Sequence, residues 1–418
     1  MFQPNPIDLA VEQIERDRRG TARFAGLFER KALRMSASPL AYLRGVAPLF
    51  YDLLRQYPEL RDGPGGEGWL CGDAHLENFG VYRTDPPDGR HGDTLRDDPV
   101  AFDLNDFDET IVGPWRFDVL RLLTSLILGG RELGVDGTRC IALSQRLVDA
   151  HVAAACTVAP APPIPAPVRR LLDKVDARSH RDLLNDRTEV VGGKRRFIRT
   201  DRYFPLPDDL RARAVDAFTK YTAKLDPAKA PKDHLSIVDV AFRVAGTGSL
   251  GALRVAVLTT GKGGVDGGWV FDMKEQGEPS AAALLGSPSP KGGERVLAGI
   301  TAAIERRPRM AGTTQLGDSS MFVRRLAPQE DKLNLPRLKA EELESLAIYL
   351  GYLLGRAHRR ALTQAPAQPW TKQDCSELID RAIVIAGVHE ASYLAMCKLD
   401  PQNPNQTPPL SFKANSSS

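Results

Sequence analysis

Two short apolar runs, Gly68–Cys71 and Pro99–Leu104, each stop at a cluster of acidic residues, and no other feature of the chain narrows its fold as much. A short apolar run bounded by turn residues reads as a buried strand. Carboxylates at its end then lie at the rim of a sheet, where a rigid scaffold can present them to a ligand. The Gly/Pro-rich Asp62–Gly68 precedes the first run, and the turn-rich Asp85–Asp98 separates the two.

The first cluster is Gly72-Asp73-Ala74-His75-Leu76-Glu77-Asn78-Phe79-Gly80, with Asp73 and Asn78 five residues apart in a loop after a strand. Phosphoryl transfer uses such a pair: a carboxylate orients the attacking hydroxyl and accepts its proton, and an amide oxygen holds a metal. The second, Phe102-Asp103-Leu104-Asn105-Asp106-Phe107-Asp108-Glu109, supplies the hard oxygen ligands that magnesium prefers. Each piece also has a plain structural reading. Asp-x-His-x-x-Asn fits a capped turn, an acidic cluster fits a solvated loop, and Asp118 at a helix start fits an N-cap. Their joint spacing favours a site.

Taken together, these residues resemble the aminoglycoside and choline kinase branch of the protein-kinase-like superfamily. That branch has a Gly-Asp-x-His-x-x-Asn catalytic loop, an Asp-Phe metal motif and a helix-start Asp about a dozen residues on; here these are Asp73 to Asn78, Asp106-Phe107 and Asp118. The resemblance implies Asp73 as base, Asn78 and Asp106 as magnesium ligands, and His75 and Asp118 as structural support. A second resemblance, to the bacterial domain of unknown function 2252 family, covers roughly residues 25–395. It rests on Gly72–Gly80, Phe102–Glu109, Gly113-Pro114-Trp115 through Arg121, Ser38-Pro39 with Leu43-Arg44-Gly45, Gly246–Gly251 and Lys274-Glu275. That family implies no reaction.

From Ile237 to Met273 the pattern turns to strands, interrupted by Gly246-Thr247-Gly248-Ser249-Leu250-Gly251 and by the glycine-rich turn Gly261–Gly268. GxGxxG alone is a common pattern. A dinucleotide fold would follow it with a helix, whereas Ala252–Leu258 reads as a strand, as in a kinase phosphate-covering loop. The kinase resemblance then implies that the backbone at Gly246, Gly248, Ser249 and Gly251 covers the phosphates of ATP, and that Lys274 meets the α- and β-phosphates. A solvated strand-end lysine is the other reading of Lys274. Glu294, on the following helix, is the expected partner of Lys274, with Glu275 and Glu305 as rivals.

The order is not that of a kinase, because the catalytic loop and metal Asp precede the glycine loop and lysine. The expected fold is therefore α+β, a protein-kinase-like two-lobe fold with the small-lobe elements permuted to follow the catalytic loop, which folds tolerate when the rejoined ends lie close on the surface. Its segments are N-terminal helices (1–61), the catalytic-loop and metal-site region (62–155), a linker with helices and a basic hairpin (156–233), the glycine-loop antiparallel sheet (234–335), C-terminal helices (336–399) and a disordered tail (400–418).

A net charge of +3 over 418 residues gives no global reason to expect nucleic acid or a membrane as partner. The start of the chain carries no uninterrupted apolar core, and the apolar stretches Leu120–Leu128 and Val296–Ile304 are too short to cross a bilayer, so a cytoplasmic protein is expected. Five scattered cysteines without a CxxC pair read as reduced thiols. His358 is expected at a helix end, and Lys194, Arg195, Arg196, Arg199 and Arg202 read as a solvated run or a hold for an acidic substrate. The expected activity is ATP- and magnesium-dependent phosphotransfer to a hydroxyl-bearing acceptor, a small molecule or a protein. Two rivals stand beside it: a nucleotide-binding pseudokinase, and a metal-dependent phosphohydrolase using His75, Asp73, Asp103, Asp106 and Asp108.

Overall fold

The computed structural model describes residues 4–84, 100–227, 230–399 and 411–412. Asp85–Asp98 and the tail after Asp400, apart from Ser411–Phe412, lie outside them. Those two tail residues pair antiparallel with Phe24–Ala25. Helix and strand are both abundant, so the chain is α+β.

One apolar core gathers residues from the N-terminal helices, the two acidic strand ends and the C-terminal helices, segments that are far apart in sequence. The helical N-terminal stretch is broken into Pro6–Thr21, Leu27–Met35, Pro39–Gly45 and Ala47–Gln56. Ser38 starts the third of these by accepting from Ala41 N at 3.1 Å, with Pro39 in the first turn. At the centre lies Arg116–Glu132, in which every residue from Phe117 to Gly130 is buried. A helix apolar all round belongs inside a protein. Leu343–Arg360 packs against Gly137–Cys156 so closely that a Cβ at Gly351 or Gly355 would collide with the Leu147 or His151 carbonyl. The final helix, Lys372–Leu399, is long and apolar enough to cross a membrane by length and composition. In this fold its Leu378, Ile379, Ala382, Ile385 and Ala386 join the core.

The second half of the site rests on a six-stranded antiparallel sheet, in the order Gly312–Leu316, Ser319–Arg325, Trp269–Glu275, Arg254–Thr259, Ile237–Arg243, Tyr203–Phe204. Because side chains alternate along a strand, its two faces separate cleanly. Val240, Phe242, Val255, Val257, Phe271 and Met273 form a core with Ala214, Ala217, Phe218 and Tyr221 of the helix Asp208–Thr222. The register pairs Arg254 with Lys274 and Asp272 with Arg324, which puts these polar residues on the opposite face. The basic run forms a hairpin, Thr188–Val191 with Lys194–Phe197. Its charges are largely met within the fold, Arg195 by Asp266, Arg196 by Glu189, Arg199 by Asp239 and Arg202 by Asp186. All five cysteines are free.

Candidate functional site

Asp73 and Asn78 lie in the loop between the strands Glu67–Leu70 and Phe79–Arg83, and that loop is held from beneath. Asp118, fully buried in the first turn of the central helix, accepts from Cys71 N at 2.7 Å and Gly72 N at 2.9 Å. It thus fixes the loop rather than capping its own helix. Gly72 has a φ of 85°, and a Cβ there would run into the Glu109 carbonyl. Tyr51 Oη donates to the Gly72 carbonyl at 2.6 Å.

Asn78 ties the two acidic clusters together. Its Nδ2 donates to the Asp73 carbonyl at 2.9 Å and the Asp106 carbonyl at 3.2 Å, while its Oδ1 accepts from Asp106 N at 2.8 Å. The amide oxygen keeps one lone pair for a cation. Asp106 is exposed at the mouth of the loop, and among the described residues no ion pair engages its carboxylate. Asp73 accepts from Arg121 Nε at 2.8 Å, and Arg121 is anchored by its own bond to the Leu43 carbonyl. Burial nevertheless pushes the Asp73 carboxyl up to about 7, because desolvation of the anion outweighs the guanidinium. His75 Nε2 stands 3.8 Å from Asp73 Oδ2, and burial with the nearby Arg44, Arg121 and Lys332 keeps this imidazole neutral.

Gly246–Gly251 connects the strands Ile237–Arg243 and Arg254–Thr259, so a glycine-rich turn joins two antiparallel strands. It leans on the N-terminal helices: the Gly246 carbonyl accepts from Arg34, and Gly251, at φ 110°, leaves no room for a Cβ beside the Gly20 carbonyl. Lys274, buried on the polar face of the sheet, pairs with Asp108. Burial pulls its ammonium down, and Asp106 opposes the shift. One cleft of about 1140 Å³ is lined by Asp73, His75, Asn78, Asp106, the whole of Gly246–Gly251 and Lys274. Segments some two hundred positions apart in sequence therefore face one space.

Other expected residues go elsewhere. Glu294 is not in the cleft lining; its carboxylate accepts from Thr313 Oγ1, and Lys274 takes Asp108 instead. The helix Gly292–Ala303 turns the next residue inward: Arg295, 1% exposed, donates to the carbonyls of Thr110, Asp108 and Gly277 and so bolts the second acidic loop to the sheet. Glu275 accepts from Arg23 and Ser319. Asp103 is buried against Arg356. His358 lies in the last turn of Leu343–Arg360, at the helix end as expected, but it is buried, with Nε2 3.1 Å from Asp118 and Nδ1 3.0 Å from His151 Nε2, and it stacks on Trp115. Among the described residues, no three His, Cys, Asp or Glu side chains are grouped to hold a metal by themselves.

Arg121 and Arg295 are the buried neighbours of the site that sequence reasoning passed over. The signal for Arg121 was present, since an arginine inside Val119-Leu120-Arg121-Leu122-Leu123 must meet a partner in the core. Nothing local marks Arg295, and the partners of His358 come from distant segments.

A family model described as "Uncharacterized protein conserved in bacteria (DUF2252)" matches residues 23–398, and the chain belongs to that family. No curated protein and no solved structure matches it.

Proposed function

We propose that this DUF2252 protein is an ATP- and magnesium-dependent phosphotransferase, built as a permuted protein-kinase-like pair of lobes, that phosphorylates a hydroxyl-bearing acceptor. The observation that carries this reading is the shared cleft, where a glycine-rich turn and a buried lysine on one sheet face a carboxylate pair held by a separate helical core. At about 1140 Å³ the cleft exceeds the roughly 300–1,000 Å³ of common small-molecule sites, which suits a nucleotide together with an acceptor.

The residues fit the divalent cation. Asp106 offers a carboxylate that forms no ion pair among the described residues and accepts only from Asp108 N there, Asn78 Oδ1 offers one lone pair, and magnesium needs only one or two protein oxygens when phosphates and water supply the rest. When bound, the cation neutralises charge on the phosphates. Lys274 and the Gly246–Gly251 amides hold the donor. The acceptor oxygen bonds the γ-phosphorus as the bond from that phosphorus to the β,γ-bridging oxygen breaks. ADP leaves, and the hydroxyl proton passes to Asp73. An acid constant near 7 suits a base that works at neutral pH. Asp118, Tyr51 and Arg121 keep that carboxylate in place.

The phosphohydrolase alternative loses support, because Asp103 is committed to Arg356 and stands outside the cleft lining. A thermal-shift screen of nucleotides with and without magnesium, followed by assay of ATP turnover, tests the proposal. Stabilisation by ATP only when magnesium is present, with turnover, is the expected result. Binding without turnover over a broad acceptor panel would leave a pseudokinase, and the absence of nucleotide binding would reject the reading.

A further inference from the structure

At one corner of the cleft two cationic side chains, Arg44 and Lys332, face a single carboxylate, Glu77. Arg44, at the end of the helix Pro39–Gly45, pairs with Glu77 of the catalytic loop. Lys332 lies 3.6 Å from the same carboxylate. Two cations thus share one acid. The other acids nearby are already engaged: Asp331, next to Lys332 in the chain, is held by Lys174 at 2.8 Å and Arg178 at 2.5 Å, and Asp73 is held by Arg121. Asp106 is the carboxylate assigned to the metal.

The corner is built rather than incidental. Lys332 is fixed opposite Gly80 by the pairing of Asp331–Lys332 with Phe79–Arg83, two residues past Asn78. The Arg44 carbonyl lies against Gly248, so its side chain reaches the catalytic loop from beneath the glycine turn. Arg44 Nε is buried with no hydrogen-bond partner. The Lys332 side chain is about half exposed; partial desolvation and the neighbouring Arg44 hold its ammonium below its ordinary range against the pull of Glu77 and Asp106, and a bound anion would relieve that repulsion.

Resting on the phosphotransferase reading, we propose that Arg44 and Lys332 bind an oxyanion group, phosphate or carboxylate, carried by the hydroxyl acceptor. The donor's phosphates have Lys274, the glycine turn and the metal on the sheet side, whereas Arg44 and Lys332 flank the loop that carries the base. A guanidinium presents a fork to such a group and an ammonium a point charge. A cationic acceptor, such as an aminoglycoside or choline, would meet two like charges here.

The test uses the full chain and four probes: orthophosphate, glycerol 3-phosphate, glycerate and glycerol, each titrated by thermal shift and calorimetry with and without magnesium and a non-hydrolysable ATP analogue. The anionic probes are expected to bind and glycerol is not; glycerol 3-phosphate against glycerate tells phosphate from carboxylate. Lys332→Met should weaken the anionic probes about tenfold, the loss of one charged contact worth about 1.4 kcal/mol, and leave the nucleotide unaffected. Lys332→Arg should restore them. Equal response to glycerol, no response to any anion, or equal weakening of nucleotide and anion in Lys332→Met would each overturn the inference, the last by assigning these cations to the donor's γ-phosphate. Anion binding without nucleotide binding would instead reject the phosphotransferase reading and leave the subsite standing.

Discussion

The two walls of the cleft are built by different means. On the catalytic-loop wall, Asp73, Asn78, Asp106 and Asp118 lie within 46 positions of one another and are joined by short hydrogen bonds to backbone groups of the same segment. On the sheet wall, Lys274 finds its counter-ion across the cleft, in Asp108, and the glycine turn rests on Gly20, Arg34 and Arg44 from the N-terminal helices. The first wall is a local constellation that carries its own geometry. The second becomes a site only when the rest of the chain closes against it. Perturbing Asp73 on the first should therefore damage chemistry, whereas perturbing Asp106, the carboxylate proposed for the cation, or the second wall should damage binding.

The largest expected effect separates those outcomes. Asp73→Asn keeps an oxygen for Arg121, which is fully buried, but cannot take a proton. Turnover should fall by roughly two to four orders of magnitude, the usual range for losing a positioned base, with ATP affinity nearly unchanged. Equal loss of affinity, measured by calorimetry on the same preparation, would make Asp73 a metal ligand and blur the distinction between the walls.

Asp106→Asn should act on binding instead, lowering magnesium-dependent ATP affinity roughly 100-fold or more, because a neutral amide cannot offset the charge that metal and phosphates bring together. Asp103→Asn is its control. It breaks the pair with Arg356, which is partly exposed, so its cost is about 1–3 kcal/mol of stability with affinity unaltered. A chemical-denaturation curve and a nucleotide titration tell the two variants apart.

The pH dependence sharpens the same point. A carboxyl raised to about 7 is protonated in acid and cannot serve as base there, so kcat/KM should fall about tenfold for each pH unit below 7 and level off above it. Asp73→Asn should abolish this limb, and a limb that persists in the variant would belong to another group.

The smallest effects concern the sheet wall. Lys274→Met should weaken ATP about tenfold to a hundredfold through loss of a charged contact, whereas Glu294→Gln should change affinity less than about twofold. A large effect of Glu294→Gln would show that the helix Gly292–Ala303 turns when nucleotide binds.

This asymmetry also governs what could be read from the sequence. The catalytic-loop wall was legible because its spacing is short: Asp118 is expected twelve positions after Asp106, and the fold puts it directly beneath Cys71 and Gly72. The glycine turn between antiparallel strands was legible from pattern. The partner of Lys274 was not, because helix rotation decides which of Glu294 and Arg295 turns inward, and that rotation is set by packing. His358 illustrates the same limit. Its place in the last turn of a helix was readable, but not that Asp118, His151 and Trp115 converge on it from other segments. Charge runs mislead in a similar way, since the arginines of the hairpin find acids that only the fold brings near.

The central claim is that one ligand is held by both walls at once. Amide hydrogen exchange of the full chain, with and without magnesium and ATP, tests it directly, because exchange reports protection segment by segment. The account predicts simultaneous protection of residues 72–80 and 104–110 on one wall and of 246–253 and 270–276 on the other, with all four lost in Asp106→Asn. Protection confined to a single wall, or unchanged when magnesium is omitted, would contradict it.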